Sequence, residues 1–248
     1  GEESWNEEKI LYQNKILQRA NLVIASSQQM AERLKQQTGF SGEVMVLYNG
    51  ADVESFKNNI TPIPKDIIDI PHPRLGYVGR LNKKVDFKLV ADLATQHAEW
   101  NFVFVGPEVY YDSVAQQHVD RCKALKNIHF LGGKNHTELP FYSNAMDVNL
   151  LCYTIDKSSW SYYCYPLKLH ECLATGKPVI SAPLHAVLEY EEVVAIAENL
   201  EEWEASITNA LINNKVVDSK MRIQVAEENS WDVRVDTLRN KMKQTSII

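Results

Sequence analysis

Two short basic stretches carry most of the chemistry in this sequence: GYVGRLNKK (Gly76–Lys84) and PLKLHECLATGKPVIS (Pro166–Ser181). In the first, Gly79 closes a strand-like run and lets a ligand or another backbone come close, because glycine has no Cβ. Arg80, Lys83 and Lys84 then place three cations in a loop ahead of a helical pattern. Cations beside free helix N–H groups suit a diphosphate, although a solvated basic loop has the same composition. In the second stretch Lys168 falls in the first turn of a predicted helix, where the dipole disfavours a cation. Glu171 follows one turn later among apolar neighbours. A phosphate at that helix start would make Lys168 and the N–H groups favourable together, with Glu171 beneath to accept hydrogen bonds from a diol such as a ribose. Without a ligand the two are an i, i+3 surface pair worth about 0.2–0.5 kcal/mol.

A third segment, TIDKSSWSYYCY, precedes Pro166 and is long for a connection in an α/β fold, where ~2–6 residues is usual. Trp160, Tyr162, Tyr163 and Tyr165 would either stack on the apolar face of a sugar ring or cover the end of a sheet.

The elements that must hold these segments alternate along the chain. LGYVGR, NFVFVGP, NIHFLGG, VNLLCY, KPVISA and VVAIAEN read as strands, separated by helical patterns such as FKLVADLATQH and SVAQQHVDRCKAL. Pro166 suits the first position of the PLKLHECLA helix, Gly176 and Pro178 end it, and Leu169 and Leu173 form its core stripe. Short apolar runs between helices predict an α/β fold, a doubly wound parallel sheet of Rossmann-like type. In that class ligands bind beyond the carboxyl ends of the strands, which is where all three segments fall. There is no GxGxxG fingerprint and no P-loop.

Composition narrows the setting. The 248 residues are 45% hydrophobic and 23% charged, as in globular proteins, and the net charge of −6 argues against a nucleic-acid partner. Cys122, Cys152, Cys164 and Cys172 lack metal-ligand spacing and read as reduced thiols, so no metal site and a cytoplasmic location are expected. Apolar runs are strand-sized, which leaves peripheral contact with a membrane surface as the compatible form of membrane association.

Taken in order, the segments resemble the donor-binding half of the retaining glycosyltransferases of GT-B fold, the group 1 (family 4) class. ANLVIASSQQMAERLKQ resembles the last strand and helix of that family's N-terminal domain, and VMVLYNGADVESF its Asn-Gly-x-Asp segment. LGYVGRL resembles the Gly-Arg turn that opens the donor domain. NIHFLGGKNHTELPFYSNAMDVNLL resembles its strand–helix–strand stretch, PLKLHECLATGKPVIS its glutamate helix, and SWDVRVDTL its closing helix. The resemblance implies residues 1–57 as the end of an acceptor-side domain, 58–73 as a linker and 74–248 as the GT-B C-terminal domain. It implies Glu171 on the donor's ribose, and Arg80 with Lys84 or Lys83 on the leaving diphosphate. It also implies Gly79 at the turn, the backbone at Leu167 and Lys168 facing the phosphates, and Gly132 to Lys134 facing the base. The family's Glu-x7-Glu motif is incomplete, since Tyr163 stands where the first glutamate belongs.

The activity implied is transfer of a sugar from a nucleoside-diphosphate sugar, UDP- or GDP-linked, to a sugar or lipid-linked hydroxyl acceptor. Retention, no cofactor and no metal are implied with it, the last in keeping with the lack of an Asp-x-Asp motif. With about fifty residues before the linker, the acceptor domain is expected to be largely missing and the chain inactive alone. The strands NLVIASS and VMVLY are then expected to dock on the remaining domain or to self-associate. Two other readings are an epimerase of similar fold, which would isomerise donor without an acceptor, and a non-catalytic nucleotide-sugar-binding module. A dinucleotide oxidoreductase stands further off for want of the glycine fingerprint.

Overall fold

The computed structural model describes residues 7–58, 61–109, 111–156, 162, 165–213 and 216–244. Its larger sheet contains β3 (Arg74–Val78), β4 (Asn101–Val105), β5 (Ile128–Phe130), β6 (Val148–Leu151), β7 (Val179–Ser181) and β8 (Ala195–Ile196). Their order is β5-β4-β3-β6-β7-β8, with every pairing parallel. Strands are added outward in both directions from the β3–β6 pair, so the expected doubly wound sheet is realised and its topological switch point lies between those two strands. The central strands are buried on both faces, which explains why NFVFV and VNLL are unbroken apolar runs rather than alternating ones.

Helices α4 (Phe87–Gln96), α5 (Ser113–Ala124), α6 (Leu139–Asn144), α7 (Lys168–Ala174) and α8 (Leu200–Asn213) connect and follow these strands. Asp86 and Asp112 cap α4 and α5, each carboxylate accepting a backbone N–H, from Leu89 and Ala115 respectively. The strand expected over VVAIAEN pairs only at Ala195 and Ile196, where the sheet ends.

The first part of the chain forms α1 (Glu7–Leu17), β1 (Ile24–Ala25), α2 (Gln28–Thr38) and β2 (Met45–Val46), with β1 and β2 a separate parallel pair. VMVLYNG is strand only at Met45 and Val46. At Gly50 the chain passes so close to Trp231 that a Cβ would lie 2.8 Å from that residue's nitrogen. Leu11, Tyr12, Ile16 and Ile24 stay exposed.

Helix α3 (Val53–Asn58) packs differently from that first part. Its Val53 and Phe56 share a buried cluster with Leu169 and Leu173 of α7, and Asn144 donates a 2.7 Å hydrogen bond to the Phe56 carbonyl. The proline-rich stretch after it is seated on the sheet. Ile67 and Ile70 pack with Val103, Val105, Tyr142 and Met146, and Arg74 Nε donates to the Ile70 carbonyl at 2.7 Å. Helices α9 (Val216–Glu228) and α10 (Trp231–Gln244) close the chain, the Trp231 N–H bonding the Ala51 carbonyl at 3.1 Å. Among the described residues no helix is long and apolar enough to cross a membrane.

Candidate functional site

Beyond the carboxyl ends of β3, β4 and β6 lies an open cavity of about 760 Å³. Its floor is backbone. The Gly79 N–H bonds the Val105 carbonyl at 2.7 Å, and the Gly106 N–H bonds the Gly132 carbonyl at 2.9 Å, so three successive strand ends are stepped onto one another. Gly79 has φ 150° and Gly106 φ 153°, and a Cβ on Gly106 would sit 2.0 Å from the Gly79 oxygen. Only glycine fits such an approach. Gly132, with φ 71°, makes the turn after β5 and supplies its carbonyl without itself reaching the cavity wall.

Arg80 and Lys84 both line the cavity, whereas Lys83 does not. The loop bearing them is pinned at each end. Tyr77 donates its hydroxyl to the Arg80 carbonyl at 3.2 Å, and the Lys84 carbonyl accepts the Thr154 N–H at 2.8 Å.

Helix α7 begins at Lys168, two residues later than Pro166 suggested, and has only seven residues. Leu167 is exposed and lines the cavity, as does Lys168. The Lys168 side chain turns under Gly79, where its Nζ lies 3.6 Å from the centre of the Tyr77 ring and 5.6 Å from that of Tyr153. Two ring faces attract the cation. Burial pulls its pKa down to about 8, opposed by the nearby Cys172, Cys152 and Glu171.

Glu171, one turn along α7, faces the same cavity. Burial pushes its carboxyl above the ordinary range, while Lys168 and His136 draw it back and Asp52 adds to the rise. Among the described residues no hydrogen bond or ion pair reaches its carboxylate. The elements thus converge Arg80, Lys84 and Lys168 with the Glu171 carboxylate on a single crevice.

Lys134 also lines the cavity, but its ammonium donates to Asp66 of the proline-rich stretch at 2.5 Å. The Tyr142 hydroxyl donates to the same carboxylate at 2.7 Å. Tyr163 and Trp160 lie outside the described residues. Tyr165 is part of the cavity wall rather than an open stacking surface, because Tyr48 already covers one face of its ring at a centroid distance of 4.7 Å. Its hydroxyl shares hydrogen bonds with Tyr190 and with His170, which burial and then Arg234 hold neutral, pulling its pKa down to about 3. Tyr162 meets the His185 ring edge-on.

Sequence reasoning missed Gly106, His136, Tyr77 and Tyr153. A signal existed for Gly106: NFVFVGP ends in Val-Gly after an apolar run, as LGYVGR does. Nothing local marks the two tyrosines or the histidine.

Residues 72–213 match the family described as Glycosyl transferases group 1. The chain is 31% identical over 172 residues to the Bacillus subtilis (strain 168) protein named "Putative teichuronic acid biosynthesis glycosyltransferase TuaH", a match covering 68% of this chain and 42% of that one. It therefore spans less than half the length of the curated relative it matches. Among solved structures, Anabaena Alr3699/HepE in complex with UDP-glucose superposes with a TM-score of 0.76 at 18% identity, over 98% of this chain and 70% of the other. Sucrose-phosphate synthase (tll1590) of Thermosynechococcus elongatus gives a TM-score of 0.71 at 17% identity, over 97% and 62%. At such identities the likeness speaks for the fold, which is that of GT-B enzymes.

Proposed function

Because this chain belongs to the group 1 glycosyl transferases, we propose that its cavity receives a nucleoside-diphosphate sugar, UDP- or GDP-linked. The sugar is transferred to the hydroxyl of a sugar or lipid-linked acceptor, with retention at the anomeric carbon and with neither metal nor cofactor. The observation that carries this reading is the meeting of Arg80 and Lys84, from the loop after β3, with Glu171 of α7 in one crevice at the switch point.

In the reaction the bond from the anomeric carbon to the diphosphate oxygen breaks, and its electron pair leaves with the diphosphate. The acceptor oxygen forms the new bond on the face the diphosphate is leaving, and its proton passes to the departing diphosphate oxygen. Charge grows on the departing group, and the guanidinium of Arg80 and the ammonium of Lys84 stabilise it where it develops. Glu171 accepts hydrogen bonds from the ribose hydroxyls, which supply the donors its carboxylate lacks. Gly79 and the backbone at Leu167 leave room for the phosphates, and Lys168 lies beneath them. The turn from Gly132 to Lys134 borders the base. The name of the Bacillus relative points to polysaccharide assembly as the setting, in the cytoplasm and with peripheral membrane contact if the acceptor is lipid-linked. Residues 1–57 are read as acceptor-side, 58–73 as linker and 74–248 as donor-side.

Calorimetry against UDP, GDP, ADP and CMP tests the donor site. One nucleoside diphosphate binds, and Arg80→Ala and Glu171→Ala each weaken it by about tenfold or more, the worth of a hydrogen bond to a charged group. Absence of any binding, or an unchanged affinity in Glu171→Ala, refutes the reading.

A further inference from the structure

Lys168 is the unusual member of the cavity. Its ammonium is folded into the wall against Tyr77 and Tyr153, directly under Gly79, where any Cβ would come within 2.1 Å of Nζ. No carboxylate forms an ion pair with it among the described residues. A cation this enclosed has given up water without gaining a counterion, a state that favours the neutral amine.

We propose that Lys168 is a third diphosphate-binding cation whose charge is completed by the ligand, so that donor binding takes up a proton at its Nζ. This rests on the donor-site reading above and adds to it a pH dependence of donor affinity.

The groups around Lys168 support the assignment. From β3 comes Tyr77, and from the end of β6 Cys152 and Tyr153; Glu171 and Cys172 are its neighbours on α7. Burial raises the tyrosine hydroxyls far above their usual range and both thiols to about 12, so all four are neutral near pH 8. Among the described residues Glu171 is the one carboxylate acting on it, and Arg80, Lys84 and Lys134 add positive charge along the cavity wall. With a pKa of about 8, the free amine is half protonated at that pH. A diphosphate beside it raises the pKa, and the bound state holds the proton. By linkage, affinity is full below this pKa and falls as pH rises through it, towards about tenfold per pH unit.

The test is calorimetry of UDP and GDP binding at about pH 8 in buffers of different ionisation enthalpy, repeated from about pH 6.5 to 9. The terminal phosphate of the nucleotide ionises near pH 6, so it is already charged and cannot take up this proton. Wild type is expected to absorb about half a proton at pH 8, rising towards one at pH 9. Lys168→Arg, whose guanidinium stays charged, binds with no uptake and a flat pH profile. Lys168→Met binds weakly at every pH, also without uptake. A contribution from Glu171 would have the opposite sign, because hydrogen bonds from the ribose hydroxyls favour its ionised carboxylate and release a proton.

Nucleotide binding in wild type without proton uptake, or uptake that persists in Lys168→Met, overturns the proposal while leaving the donor site intact. If neither nucleotide binds at any pH, the donor-site reading falls and takes this one with it.

Discussion

Gly106→Ala is the sharpest test of how backbone packing builds the site. The new Cβ would lie 2.0 Å from the Gly79 oxygen and 2.6 Å from its carbonyl carbon, both main-chain atoms that cannot swing aside. The floor must open by more than an ångström. It is held by the bond from the Gly79 N–H to Val105 and by that from the Gly106 N–H to Gly132, each worth about 0.5–1.5 kcal/mol net. A φ of 153° adds roughly 1–3 kcal/mol of backbone strain for an L side chain. The expected loss is about 2–6 kcal/mol, or roughly 4–24 °C in Tm for a chain of this size. Arg80 moves with Gly79, so UDP or GDP affinity also drops by about tenfold or more. Gly79→Ala makes the complementary case. Its Cβ meets only the flexible tip of Lys168, at 2.1 Å, so the fold loses less while nucleotide binding suffers comparably. Thermal unfolding and calorimetry on both variants decide. A Gly106→Ala protein that melts within about 2 °C of wild type and binds nucleotide within about twofold of it would refute the reasoning.

Two further outcomes follow from burial. In the folded state the Glu171 carboxyl is raised by desolvation, so its ionised form opposes folding: stability is fullest below the ordinary carboxylate pKa and declines as pH rises through the raised one. Glu171→Gln is therefore expected to melt higher than wild type at about pH 8, with the advantage shrinking towards pH 4, yet to bind nucleotide about tenfold more weakly. A lower Tm at pH 8 would contradict it. Phe56→Ala removes a side chain 1% exposed between α3 and α7, and is expected to cost about 3–5 kcal/mol in denaturant unfolding. A loss under about 1 kcal/mol would mean that α3 is merely lying on α7.

The alternation of apolar runs and helical patterns made the parallel sheet legible, because buried strands such as NFVFV carry their environment in their composition. Arg80, Lys84 and Glu171 were legible for a similar reason: charge at a strand end or helix start signals itself locally. What stayed hidden was set by tertiary direction. The sequence sets Lys168 at a helix start suited to an anion, but only the positions of Tyr77 and Gly79, some ninety residues earlier, turn its ammonium under the floor. Lys134 likewise looked available until Asp66, from a stretch read as linker, closed on it. The four prolines of that stretch break both helical and alternating patterns, and no periodicity shows that Ile67 and Ile70 are buried. Whether Tyr165 stacks on a sugar or covers the end of the sheet stayed open in the sequence, which gives no sign that Tyr48 lies on one face of its ring.

The strand order has a mechanical meaning. β3 joins β6 through Leu75↔Val148 and Gly76↔Asn149, while every other pairing in the sheet lies within one flank or the other. The molecule thus has a seam, and the crevice runs along it: Gly79, Arg80 and Lys84 stand on one bank, Lys168 and Glu171 on the other. A ligand spanning the crevice is a rivet across that seam. It adds to the two strand registers and to the backbone bonds from Asp86 to Cys152 and from Thr154 to Lys84 that already join the flanks, and its stabilising effect grows with occupancy as RT ln(1 + [L]/Kd).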